Sequence, residues 1–141
     1  MKPLILSKFT LTSAVGCALN DHKQALISQR SGLEPCDLDF AQVDTYVGRV
    51  KEVEEFSVVD RLKEFDCRNN RLAQLALQHD SFMPAVEEAI IRYGPDRIGL
   101  FLGTSTSGIL QTEIAYQQRD PVTGDLPDTF KYKETQNVFS V

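Results

Sequence analysis

The segment Arg97–Gly108 (RIGLFLGTSTSG) constrains this chain more than any other. Ile98–Leu102 is almost wholly apolar. A short apolar run bounded by turn residues reads as a strand covered on both faces. Small polar residues then supply a turn, and the stretch from about Ser107 to Gln118 reads as a helix. A buried strand feeding a helix through a tight turn points to an α/β architecture, in which helices cover a sheet.

The remainder fits that class. Pro3–Leu11 alternates loosely and is rich in β-branched and aromatic side chains, so it reads as a strand; Thr12–Gly16 follows as a turn. Asn20 or Asp21 suits the cap of a helix over His22–Gln29, with Ser31-Gly32 ending it through a left-handed glycine. Glu34–Phe65 is mixed and polar, with a short strand at Thr45–Val50. Asp66 suits the cap of a helix over Cys67–His79, whose Leu72, Leu75, Ala76 and His79 share a face. Ser81 begins another helix with Pro84 in its first turn, where a missing N–H is tolerated. Phe82, Met83, Val86, Ala89, Ile90 and Tyr93 form its apolar stripe, and Gly94-Pro95-Asp96 stops it. Asp120–Pro127 is a polar turn-rich loop, and Glu134–Val141 reads as the start of a further helix. The length of 141 residues is that of one domain, 1–141.

Several chemistries are disfavoured. The net charge is −5 and Lys and Arg form no cluster, which argues against nucleic acid and anionic membrane surfaces as partners. No stretch approaches the roughly 20 apolar residues of a membrane span, and the Met1–Leu6 start is too short for a signal peptide. A cytoplasmic protein is therefore expected. Cys17, Cys36 and Cys67 are widely spaced, form no CxxC pair and have no metal-ligand spacing with His22 or His79. Reduced thiols, no metal and no cofactor are expected. Gly103–Gly108 mimics half a phosphate-binding loop, but Ile109 and Leu110 stand where Lys and Ser/Thr are required. That leaves generic anion binding at a helix N-terminus. Neighbouring side chains on a helix diverge, so Glu54-Glu55 and Glu87-Glu88 read as solvated faces. Asp37 and Asp39 share a face if their segment is extended.

An ordered set of segments resembles the N-terminal part of the β-ketoacyl synthases, the thiolase-fold condensing enzymes of fatty acid and polyketide synthesis. Leu4–Gly16 is similar to the first strand and turn of that family (V-T-G-x-G-x-x-S-P-x-G), retaining Ser13 and Gly16. Lys8 and Thr10 stand at common glycine positions, and Ala14 replaces the proline. Leu26–Leu33 resembles L-x-x-G-x-S-G-I with one glycine missing, and Arg71–Leu77 resembles the R-x-x-x-x-A-x-x-A helix. Ala85–Gly108 is the strongest match. The resemblance spans nearly the whole chain but only about the first third of a family member.

The resemblance implies a thiolase-like layered fold, a mixed sheet flanked by helices, that is incomplete within these residues. It implies a parent reaction in which an acyl group on a cysteine condenses with a malonyl unit on acyl carrier protein. The nucleophilic Cys, in a T-A-C-[SA]-S context, and the His residues would lie beyond Val141. No catalytic residue is expected among Cys17, Cys36, Cys67, His22 and His79; His22 is expected on a surface helix and His79 near a helix end. Thr106 aligns with a residue at the far end of the acyl pocket, beside the subunit interface; it equally suits a cap for the following helix. A homodimer or a ketosynthase heterodimer is implied. Two other readings stay open: a chain-length-factor-like partner lacking the nucleophile, and a free-standing α/β interaction module.

Overall fold

The computed structural model describes residues 3–37, 43–101, 103 and 108–130, and its architecture is mixed α/β with a small two-stranded sheet. The order is α1 (Leu19–Ile27), β1 (Leu33–Pro35), β2 (Tyr46–Gly48), α2 (Glu52–Glu55), a 3-10 segment (Asp60–Phe65), α3 (Arg68–Leu77), α4 (Phe82–Tyr93), a 3-10 turn (Pro95–Arg97) and α5 (Ile109–Gln117). The strands run antiparallel, with Leu33 opposite Gly48, Glu34 opposite Val47 and Pro35 opposite Tyr46. β2 is the short strand expected within Thr45–Val50. Its partner β1 contains Pro35, which lacks an N–H and masks a strand signal in sequence.

The helix boundaries show which local signals tertiary contacts override. α1 begins at Leu19 and its N-cap is Ala18, so neither Asn20 nor Asp21 is the cap. Asp21 occupies the third helical position, and its Oδ2 accepts the N–H groups of Cys17 at 3.2 Å and Ala18 at 3.1 Å. This is the reaching-back half of a capping box. The N–H of Leu19 is satisfied from a distance: both oxygens of Asp80 accept it at 3.2 Å. Thr10 Oγ1 lies within hydrogen-bond reach of Asp80 Oδ2 at 3.0 Å and the Ala76 carbonyl at 3.1 Å. The corner between α3 and α4 thus clasps the N-terminal segment and the start of α1. Asp80 and Ser81 both have left-handed backbones there, φ 55° and 54°.

Gly32 does not supply a left-handed end to α1; Gln29, at φ 53°, does. Gly32 is needed for a different reason. A Cβ at Gly32 would sit 2.6 Å from the carbonyl carbon of Ala14, so only glycine lets this backbone approach the Ser13–Gly16 turn. That turn is closed by reciprocal backbone bonds, Ser13 N–H to Gly16 O at 2.9 Å and Gly16 N–H to Ser13 O at 3.1 Å. α3 starts at Arg68 with Cys67 as N-cap. Asp66 is not the cap; it receives Arg71 in a two-pronged pair, Nε to Oδ1 at 2.6 Å and Nη2 to Oδ2 at 2.7 Å. α4 carries Pro84 in its first turn and ends at Gly94, φ 86°, as its sequence dictates.

Two expected strands are not paired. Pro3–Leu11 belongs to no sheet, and Leu4 is 99% and Ile5 89% exposed. Ile98–Phe101 likewise forms no ladder, with Leu100 at 80% and Phe101 at 96%, so it is not covered on both faces. Strand propensity selects an extended backbone, but a ladder needs neighbours to satisfy its N–H and C=O groups. Leu102 lies outside the described residues, as does Glu134–Val141.

The packed hydrophobic centre is small, with Ala25, Val58, Cys67 and Ala115 buried outside it. Cys17, Val53 and Leu75 pack together, with Val50, Phe56 and Leu72 against them. This joins the loop before α1 to α2 and α3. On α3, Leu75 is buried and Leu72 and Ala76 are half-buried, as the shared face predicts; the helix ends at Leu77, so His79, also half-buried, lies just beyond it rather than on that face. The stripe of α4 finds no such cover, since none of that helix's residues is buried.

Two outcomes are expected. Asp80→Ala removes the remote cap of α1 and one anchor of Thr10, lowering stability by about 1–2 kcal/mol; urea unfolding measures this. The exposed apolar surface drives self-association, so sedimentation velocity should show average mass rising with concentration. Joint Leu100→Asp and Phe101→Asp changes should reduce that rise.

Candidate functional site

Thr106 lies outside the described residues, together with most of the Gly103–Gly108 turn. The end of that turn is described. Gly108 is buried, has φ 70° and serves as N-cap of α5, whose Thr112 hydroxyl donates back to the Gly108 carbonyl at 3.0 Å.

Burial sets the reactivity of the Cys17 and Cys67 thiols. Cys67 is 1% exposed and Cys17 7%. Burial, then a hydrogen bond to Glu52 and the charges of Glu52 and Asp21, push the Cys17 thiol up to about 11. Each cause favours the neutral thiol, the reverse of what an activated nucleophile needs.

His22 is half-buried on α1 rather than a solvent-facing residue. Its Nδ1 lies 2.8 Å from the Ala18 carbonyl and its Nε2 2.8 Å from Ser13 Oγ. A carbonyl only accepts, so Nδ1 carries a proton there, while Nε2 and the Ser13 hydroxyl share the second hydrogen bond. Ser13 Oγ in turn accepts the Val15 N–H at 3.3 Å. These bonds fasten the Ser13–Gly16 turn to the first turn of α1.

Beside that turn lies a polar cleft of about 230 Å³. Its walls are the Ser13–Gly16 turn, Arg30–Gly32 at the end of α1, and Glu34, Arg49, Lys51 and Glu52 from around the small sheet. The close approach of Gly32 to Ala14 brings the first two walls together. Arg30 Nη2 donates to the Val15 carbonyl at 2.8 Å. Arg49 Nε donates to Asp37 Oδ1 at 2.8 Å, and Lys51 Nζ lies 3.3 Å from Glu34 Oε1.

A second hollow, about 200 Å³ and apolar, sits between the 3-10 segment and α3, lined by Val58, Leu62, Phe65 and Leu77 among others. Asn70 Nδ2 donates there to the Phe65 carbonyl at 2.7 Å, while its Oδ1 is buried with no hydrogen-bond partner among the described residues.

The acidic groups divide as charge pairing dictates. Glu54 pairs with Arg68 at 2.7 Å, and Glu55, Glu87 and Glu88 are exposed. Asp37 is engaged by Arg49, while Asp39 lies outside the described residues. Among the described residues no group of three or more His, Cys, Asp or Glu is placed to hold a metal, and no helix is long and apolar enough to cross a membrane.

No protein-family model, no curated protein and no solved structure matches this chain.

The thiols give a direct check. At pH 8 the Cys17 thiol, pushed up to about 11 from an ordinary 9.0, should hold about a hundredfold less thiolate than an unburied cysteine and alkylate correspondingly slowly. Glu52→Gln should speed Cys17 alkylation; mass mapping of labelled peptides reads both. The Asp66–Arg71 pair adds an acid-side dependence. Arg71 holds the Asp66 carboxyl below its usual 3.8, so its stabilisation is present above that value and is lost as pH falls through the lowered one. Asp66→Asn should flatten that part of the acid unfolding curve.

Proposed function

We propose that this chain is the N-terminal portion of a β-ketoacyl synthase-like condensing enzyme, folding as the first part of a thiolase-like layered domain. The parent reaction joins a Cys-bound acyl group to a malonyl unit on acyl carrier protein, with loss of carbon dioxide. The reading rests on the ordered segments Leu4–Gly16, Leu26–Leu33, Arg71–Leu77 and Ala85–Gly108. The observation that carries it furthest is the state of the two apolar segments. Leu4–Leu6 and Leu100–Phe101 have strand-like composition, yet they are exposed and outside any sheet. In a layered α/β domain such segments are central strands with helices on both faces.

In this reading the chain contributes sheet, flanking helices and, at Thr106, part of the acyl pocket. The nucleophile and the histidines come from later sequence, the protein is a cytoplasmic homodimer or ketosynthase heterodimer, and no metal or redox cofactor takes part. A chain-length-factor-like parent is the second reading, and Thr10 favours it. Thr10 stands at a common glycine position of the family, and its hydroxyl is built into the Asp80 clasp.

The codons that follow Val141 in the gene test the proposal. A downstream T-A-C-[SA]-S segment with later histidines supports a condensing enzyme. The same frame with the cysteine replaced supports the chain-length partner. A frame with neither, or a stop codon at once, defeats both. The 141-residue chain alone should release no detectable carbon dioxide from malonyl-acyl carrier protein in the presence of an acyl thioester; radiolabelled malonate reads this.

A further inference from the structure

The chain carries a net charge of −5, yet three of its cations, Arg30, Arg49 and Lys51, line the polar cleft beside the Ser13–Gly16 turn. Two carboxylates, Glu34 and Glu52, line it as well. Glu52 accepts from the Cys17 thiol and keeps its negative charge, and the contact between Lys51 and Glu34 is long at 3.3 Å between side chains more than half exposed. An exposed pair of that kind is held by only about 0.2–1 kcal/mol and opens readily.

Arg30 is oriented rather than neutralised. Its Nη2 donates to the Val15 carbonyl at 2.8 Å, and no carboxylate among the described residues pairs with it. Ser31 adds a donor. Its Oγ accepts the Leu33 N–H at 3.0 Å, which fixes the oxygen and leaves the hydroxyl proton free to donate. Ser13 is different, because its hydroxyl is used by His22. The cleft therefore combines the fixed Arg30 guanidinium, Lys51 in an opening pair with Glu34, Arg49 held by Asp37 at 2.8 Å, and one hydroxyl donor, on walls brought together by the Gly32–Ala14 approach.

We propose that this cleft binds a phosphate group, free or carried as a monoester. A dianion with three terminal oxygens matches convergent cations and a hydroxyl, whereas a carboxylate offers half the charge and one oxygen fewer. The site stands apart from the condensing reaction proposed above, and neither depends on the other. Because its cations are near the surface, binding weakens as salt rises.

Isothermal titration of the 141-residue chain with inorganic phosphate and, separately, with methyl phosphate at low ionic strength tests the site. One-site saturable binding is expected, weakened about tenfold by Arg30→Gln. Glu34→Gln should tighten it about threefold by releasing Lys51, a gain that a misfolded variant does not produce. Tighter binding of methyl phosphate assigns the site to an esterified group, and tighter binding of inorganic phosphate to the free ion. Absence of saturable binding by either probe, or affinities unchanged in both variants, overturns the proposal.

Discussion

Every residue of an extended backbone carries a donor and an acceptor, and a strand is stable only when these are answered from the side. That requirement governs this molecule. The two segments with the clearest strand composition, around Leu4–Leu6 and Ile98–Phe101, pair with no strand among the described residues. Most of their side chains consequently stay in solvent, Leu4 and Phe101 almost completely. α4 has a well-formed apolar stripe and buries none of its residues. What remains to be buried is small: Cys17, Ala25, Val53 and Ala115 are among the most enclosed side chains, while Leu4 and Phe101 are among the most exposed.

Polar contacts supply much of the long-range order in place of a large core. Asp80 holds the start of α1 through the Leu19 N–H and meets the Thr10 hydroxyl, tying residues far apart in sequence to one corner. His22 ties the Ser13–Gly16 turn to α1, and Arg30 reaches the same turn from the other end of that helix. Imidazole and guanidinium groups thereby converge on a single glycine-lined turn. The polar cleft is a consequence of that convergence, since side chains that fasten the turn also line the space beside it. Such bonds are directional, so they define geometry well even where each contributes about 1 kcal/mol.

Some of this was readable beforehand and some was not. The stop at Gly94, the helix through Pro84, the turn at Thr12–Gly16 and the α3 face around Leu75 all followed from local chemistry. The errors share a cause. Asp66 and Asp21 look like caps in sequence, but Asp66 is taken by Arg71 and Asp21 reaches back from inside α1. Gly32 looks like a helix terminator but serves a close backbone contact with Ala14. His22 looks like a surface residue because its partner, Ser13, lies across a turn. The cleft was missed altogether: Arg30, Arg49 and Lys51 are ordinary isolated cations along the chain, and only folding places them on one space.

The sequence by itself determined the bodies of α1, α3, α4 and α5, the stop of α4 at Gly94 and the α/β class, because periodicity, proline and glycine act within a few residues. It also determined the intrinsic extension of the two apolar segments. The tertiary structure alone decided whether those segments found partners, what capped α1, and which charges met beside the Ser13–Gly16 turn. Those outcomes depend on contacts between residues such as Leu19 and Asp80, whose separation along the chain leaves no local signature for either to carry.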